Sequence, residues 1–363
     1  MHNAEAEWKE YRDAELARAT SVLTALGFTL DAEQPHIQGE RFLMHALTTK
    51  SGRKLILRGS HARGRVIIKV TSDPDGKREL RHERECRRVL DEIRFAYGIF
   101  RSPEEILFSE SNGLTISVTL FIDQEQAFLD RAVEEQFALT LAAFKAQESA
   151  HATTYEHYRL VEGTFGSIDA DGYIRSLRGF ITSIRTHALD TRTEMFTAVE
   201  QQFTENRDRI EQYCGFLTHV DFVPHNFRIH DGNMYLLDHS SLRFGNKHEG
   251  WARFLNFMTL HNPALEHALT WYVEHNRSPE EWESLALMRL YRLTELICFY
   301  ASLLSKTEGD LHRLTKTRVH FWSDVLAARL ENRDVDASII NAYRDTRDAL
   351  RSPEEKRRQI GLH

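Results

Sequence analysis

Hydrophobic and polar positions change their period near residue 126. Before it, short β-rich runs at Phe42–Thr48, Lys54–Arg58, Arg65–Val70 and Leu114–Ile122 are separated by turn sequences such as Ser51-Gly52-Arg53, the pattern of antiparallel strands. Two helices accompany them: residues 1–26, rich in Glu, Ala and Arg, and Lys77–Ile93. In the second, Glu79, Glu83, Cys86, Leu90 and Ile93 recur at helical spacing and share one face. After residue 126 the pattern predicts helices at Glu134–His151, 170–188 and 191–213, and from Trp251 to near residue 350. Between them, Phe227–His230 and Met234–Leu237 flank Asp231-Gly232-Asn233, the signature of a tight hairpin. The expected class is α+β: an antiparallel sheet with a helix, followed by a mostly helical part.

The hairpin carries the densest chemistry. His219-Val-Asp221-Phe-Val-Pro-His-Asn226 precedes it and Tyr235-Leu-Leu-Asp238 closes it. Read as H-x-D-x4-N and then apolar-apolar-D, these are parts for phosphoryl transfer, which needs a carboxylate for the acceptor hydroxyl and oxygen ligands for magnesium. Asp221 suits the first role, and Asn226 and Asp238 the second, because Mg²⁺ prefers carboxylate and amide oxygens. Pro224 discourages a helix through the motif. A hairpin places Asn226 before one strand and Asp238 after the other, at one end of the ribbon. Lys69 lies within the apolar run Arg65-Val-Ile-Ile-Lys-Val, where an unpaired ammonium would lose its hydration. Glu83, on the apolar face of the following helix, is its expected partner, with Glu85 and then Glu79 behind it. The arginines of that helix alternate with Glu and predict a solvated, ion-paired surface, not a nucleic-acid contact.

These segments resemble the catalytic and metal-binding loops of the aminoglycoside phosphotransferase/choline kinase group, within the wider protein-kinase-like fold. The resemblance implies two lobes, residues 1–122 binding nucleotide and 123–363 carrying the catalytic loop and substrate site. It implies ATP as co-substrate, Asp221 as catalytic base, His219 as a brace for the loop, and Asn226 and Asp238 as Mg²⁺ ligands. Lys69, tethered by Glu83, would hold the α- and β-phosphates. Leu120, Phe121 and Ile122 would line the adenine pocket, and Ser51 with the Gly52 amide would approach the phosphates. The acceptor would be a small hydroxyl compound such as an aminoglycoside, choline, an amino acid or a sugar, with Asp190, Glu194, Glu200 or Glu249 available to an amino-sugar. Val220, Val223 and His225 depart from the group's usual H-G-D-x-H-P-x-N pattern.

Composition narrows the alternatives. A formal charge of −7 over 363 residues gives no electrostatic case for nucleic acid. No apolar run reaches membrane-spanning length, and the acidic start does not read as a secretion signal. Cys86, Cys214 and Cys298 lack C-x-x-C spacing, so reduced thiols in a cytoplasm are expected. Nineteen His, four of them near the motif, keep a zinc hydrolase in view, although no H-E-x-x-H occurs. The other alternative is a kinase-like nucleotide binder that is catalytically weak or inactive, suggested by the altered motif.

Overall fold

The computed structural model describes residues 2–34, 52–93, 101–149, 159, 162–187 and 192–351. The strand expected at 42–48 and the candidate Ser51 lie outside them. Helix α1 (His2–Ala25) leads into a five-stranded antiparallel sheet of β1 (Thr29–Leu30), β2 (Leu55–His61), β3 (Gly64–Thr71), β4 (Glu105–Ser111) and β5 (Leu114–Leu120). The spatial order is β1-β2-β3-β5-β4. Between β3 and β4 runs α2 (Pro74–Ile93). Alternate residues of the central strands, such as Leu55, Leu57, Val66, Ile68, Ile116 and Val118, are buried in one apolar cluster that also holds Ala19 and Leu23 of α1, the period-2 burial a half-covered sheet requires.

Strand β4 was not anticipated. Its side chains are half-buried on both faces, so no alternation marks it. The signal that identifies it is Asn112-Gly113, whose φ angles of 51° and 75° form the left-handed two-residue turn that joins it to β5. Along α2, Leu80, Glu83, Cys86, Arg87, Val89, Leu90 and Ile93 are buried. All five arginines of the helix end on carboxylates: Arg78 on Asp75, Arg81 on Glu110, Arg84 on Glu105, the buried Arg87 on Glu83 and Glu105, and Arg88 on Glu85 and Glu92.

The second part is helical around a large apolar core. Helices α3 (Val133–Glu148) and α4 (Ala170–His187) come first, then α5 (Thr193–Glu205) and α6 (Arg207–Gln212). The single helix expected at 191–213 is thus two, broken where Asn206 leaves helical geometry at φ −105° and ψ 24°. Strands β6 (Phe216–His219) and β9 (Leu242–Gly245) pair antiparallel, and between them lies the hairpin β7 (Phe227–His230) and β8 (Asn233–Leu236). Helices α7 (Glu249–His261), α8 (Pro263–Asn276), α9 (Pro279–Leu303), α10 (Gly309–Leu330) and α11 (Ala337–Leu350) complete the chain. Among the described residues no helix is long and apolar enough to cross a membrane.

The core reaches the motif through aromatic rings. Trp251 of α7 stacks on Phe144 of α3 at 4.3 Å, and Phe222, the residue after Asp221, packs on Phe227 and Phe254 at 5.3 and 5.7 Å. At Gly250 the start of α7 passes so close to β6 that an added Cβ would sit 2.8 Å from the backbone oxygen of His219. Alanine normally gains about 1 kcal/mol over glycine within a helix, but a backbone atom cannot swing away as a side chain can. Gly250→Ala is therefore expected to destabilise the protein by about 1–3 kcal/mol, measured as a lower urea midpoint. An unchanged or raised midpoint would show that β6 yields freely.

Candidate active site

The hairpin sets the geometry. Asp231 and Gly232 take φ of 48° and 68°, the left-handed pair that lets a two-residue turn follow the twist of its strands. Phe227 pairs with Leu236, and Leu237 N–H donates to the Asn226 carbonyl at 2.9 Å. Asn226 and Asp238 therefore leave the ribbon at the same end. A 3-10 turn, Pro224–Asn226, delivers Asn226 there. Phe222 is buried beneath it while the Asp221 side chain remains 40% exposed. Phe222 thus anchors the loop in the core while the neighbouring carboxylate stays accessible.

Polar contacts then tie the candidates together. Asn226 Nδ2 donates to both the carbonyl and Oδ2 of Asp221 at 2.8 Å. Asp238 Oδ1 accepts from Ser240 Oγ at 2.6 Å and Oδ2 from Ser241 Oγ at 2.7 Å. Burial alone would raise the Asp238 carboxyl, but the Ser240 and Ser241 hydroxyls and the nearby Lys69 bring it to about 2. His219 is fully buried, and its Nε2 lies 2.7 Å from the Asp238 carbonyl. Burial lowers its pKa, so the neutral ring donates that bond, and it bears on the site through the Asp238 backbone.

Lys69 Nζ lies 2.7 Å from both carboxylate oxygens of Glu83 and donates to the Leu237 carbonyl at 3.3 Å. Glu83 is 3% exposed. Burial favours its neutral form, yet Lys69 and Arg87 outweigh burial and lower its pKa. The other two carboxylates considered for Lys69 are engaged elsewhere: Glu79 by Lys54 and Glu85 by Arg88.

Other candidates fare differently. The Gly52 amide donates to Asp73 Oδ1 at 2.8 Å. Asp73 also caps the Asp75 and Gly76 amides at the start of α2, so this N–H is committed to the helix terminus and not presented to a phosphate. Leu120 and Phe121 donate their amides to Glu104 and Arg65, and the Phe121 ring lies under the Arg65 guanidinium at 4.2 Å. Ile122, half-buried, makes no such amide bond among the described residues. The chain after it is pinned to the hairpin, where Gln124 Oε1 accepts from Ile229 N at 2.9 Å. Glu249 cannot serve an amino-sugar: it is fully buried and accepts from Tyr173, Arg243 and Arg292. Glu200 is held by Arg178 and Glu194 is exposed, while Asp190 lies outside the described residues. Val223 is 3% exposed within the core, so that departure from the motif is a packing residue.

Arg253 was missed. Its Nε donates to Asp221 Oδ1 at 2.9 Å. Burial would raise the Asp221 carboxyl, but Arg253 and then Arg292 hold it below its usual range. No local pattern relates positions 221 and 253. Ser240 and Ser241 were missed too, although Asp238-His-Ser-Ser is a form typical of side-chain turns.

The donors at the hairpin's end fit Mg²⁺. Asn226 Oδ1 takes no hydrogen bond among the described residues, and Asp238 is ionised down to about pH 2. Two hard oxygens on half-buried residues match an ion that keeps phosphate and water ligands. The histidines diverge instead: His219 faces the Asp238 carbonyl, His225 meets the Phe257 ring, and His230 faces the Asp123 carbonyl. Among the described residues no three His, Cys, Asp or Glu side chains gather as metal ligands.

An unfolded aspartate titrates near about 3.9, above the folded Asp238. Its carboxylate therefore stabilises the fold above about pH 4 and loses that contribution as pH falls through about 2. Ser241→Ala removes one of the hydroxyls that lower it, so acid unfolding followed by circular dichroism should begin at higher pH. An unmoved acid transition would mean that Lys69 and Ser240 suffice.

No family model matches this sequence and no curated protein matches it. Solved structures do. A thermostable mutant of aminoglycoside phosphotransferase APH(4)-Ia, in ternary complex with AMP-PNP and hygromycin B, aligns with TM-score 0.54 and 13% identity over 78% of this chain and 91% of its own. ADP-bound aminoglycoside phosphotransferase APH(2'')-Ib gives 0.52 and 15% over 78% and 93%, and a macrolide 2'-phosphotransferase type I gives 0.55 and 12% over 84% and 97%. At such identities the likeness establishes architecture. The chain has the two-lobe, protein-kinase-like fold of the aminoglycoside phosphotransferases.

Proposed function

We propose that this protein is an ATP- and Mg²⁺-dependent phosphotransferase acting on a hydroxyl group of a small molecule. The observation that carries the reading is one chain of contacts: Asp221 to Asn226, Asn226 to Leu237, Leu237 to Lys69, and Lys69 to Glu83. Every group the reaction calls for lies on it or one bond from it. The nucleotide-bound state of two of the structural relatives adds support for ATP.

In this reading Asp221 accepts a hydrogen bond from the acceptor hydroxyl and orients its oxygen toward the γ-phosphorus. That oxygen forms the new P–O bond as the bond to the β,γ-bridging oxygen breaks. ADP leaves with that electron pair, and the hydroxyl proton passes to Asp221. With its pKa held down, Asp221 is ionised at neutral pH but a weak base, so its contribution is chiefly positional. Asn226 and Asp238 would hold Mg²⁺, which when bound supplies charge neutralisation on the phosphates. Lys69 positions the α- and β-phosphates and Glu83 keeps its ammonium extended. His219 is a positioning residue behind Asp238. In this reading residues 1–122 form the nucleotide lobe and 123–363 the catalytic lobe, which the pinning of Gln124 to the hairpin supports, and a cytoplasmic location is supported by three unpaired cysteines.

A catalytically weak, nucleotide-binding protein is the second reading. Its support is that both Asp221 carboxylate oxygens already take protein donors, from Arg253 and Asn226. Two measurements separate these readings. Asp221→Ala should lower acceptor-dependent ADP release by about 10³-fold or more, while the thermal shift produced by ATP with Mg²⁺ stays within a degree or so. Asp238→Ala should abolish the magnesium-dependent part of that shift. Wild-type turnover in both variants would reject the assignment, and a wild-type shift without any turnover would favour the silent binder.

A further inference from the structure

Resting on the phosphotransferase reading, we infer that the acceptor is an anion: a hydroxyl compound bearing a carboxylate or phosphate close to the hydroxyl that receives the phosphoryl group. The residue that reads it is Arg253.

The argument begins with what Arg253 leaves unspent. A guanidinium carries five N–H donors in a planar fork. Nε is used on Asp221 at 2.9 Å, and among the described residues neither terminal nitrogen makes a hydrogen bond. The side chain is 21% exposed and its partner Asp221 is 40% exposed, so the pair is accessible to a small molecule beside the base. Arg292 stands behind it. Its Nη1 is held by Glu249 at 3.2 Å and Glu295 at 2.6 Å, and its buried Nε has no partner. Glu249, the nearest buried acid, is further occupied by Arg243 and Tyr173. Helix α7 presents Phe257 one turn beyond Arg253, against the His225 ring at 5.4 Å. From the described residues, then, the wall next to Asp221 offers a guanidinium, an imidazole and an aromatic ring.

Such a wall discriminates by charge. An ammonium placed near the reacting hydroxyl would meet Arg253 at close range, and among the described residues no carboxylate shown beside Asp221 is left uncommitted to balance it. A carboxylate or phosphate would take the two terminal nitrogens in the bidentate geometry that planar guanidinium groups favour. Because Arg253 also bonds the base, the anion it captures would set the distance between the acceptor hydroxyl and Asp221. One residue thus couples recognition to alignment.

The test uses the full chain with Mg²⁺ and ATP, following ADP release with matched acceptors: D-glycerate against glycerol, ribose 5-phosphate against ribose, and choline and kanamycin as cations. The carboxylate and phosphate arms distinguish the two oxyanions. At least one anion should exceed its neutral counterpart in kcat/KM by about tenfold or more, the worth of a charge-assisted bond. Arg253→Gln should reduce that ratio to within about twofold, and Arg253→Lys, which keeps the charge without the fork, should retain part of it. The ratio isolates recognition from any general loss caused by releasing Asp221. Equal use of the neutral compounds, preference for choline or kanamycin, an anion preference that survives in Arg253→Gln, or no stimulation by either anion overturns the inference. A magnesium-dependent thermal shift with ATP is recorded on the same preparations. If that shift is present and the anions fail, only the acceptor assignment falls. If it is absent, the phosphotransferase reading falls, and an Arg253-dependent thermal shift by glycerate or ribose 5-phosphate alone still decides whether the anion site exists.

Discussion

Two opposite charges removed from water together hold the cleft in shape. Lys69 on β3 and Glu83 on α2 meet where neither is well hydrated, and Lys69, with Arg87, holds the Glu83 carboxyl below its usual range. The third contact of the Lys69 amine is the Leu237 carbonyl, one residue before Asp238. Sheet, helix and hairpin are therefore registered by one ammonium group. A pair of this kind adds little net stability over a hydrophobic substitute, because desolvation offsets most of the Coulombic gain. Its consequence is positional: if the helix slipped by a turn, Lys69 would lose both oxygens and the amine would no longer face Asp238.

The rest of the cleft follows the same rule of charges satisfied before a ligand arrives. Asp238 is held by two serine hydroxyls, Asp221 by Arg253 and Asn226, and Glu249 by Arg243, Arg292 and Tyr173. Both aspartates are consequently ionised at neutral pH, which suits metal holding and hydroxyl orientation better than strong proton abstraction. Among the described residues, Asn226 Oδ1 and the terminal nitrogens of Arg253 take no protein partner. The first is a hard oxygen of the kind that suits a cation and the second a guanidinium of the kind that suits an anion, and Asp221 bonds to both residues.

How much of this was legible depended on the range of each interaction. The hairpin was readable because Asp231-Gly232 demands left-handed backbone and its flanks are apolar at strand spacing. Glu83 was readable because its place on the helix puts it among Cys86, Leu90 and Ile93, and no surface carboxylate belongs there without a partner. Strand β4 escaped notice because half-burial on both faces erased its alternation, although Asn112-Gly113 announced its turn. The break at Asn206 also went unread, since no glycine or proline marks it. The engagement of the Gly52 amide was not legible, because it answers to Asp73, 21 residues away at the start of α2.

What remains belongs to the folded chain alone. Periodicity, turn sterics and the spacing of His219, Asp221, Asn226 and Asp238 act over a few residues, so the order of amino acids already specifies the elements and the candidate chemistry they carry. The guanidinium that meets Asp221 arrives from 32 residues away, on a helix whose approach depends on Gly250 passing the β6 backbone and on Trp251 stacking against Phe144. Packing at that distance is set by the shapes of many side chains at once. No local pattern encodes it, and the charge set beside Asp221 is decided only when the chain has folded.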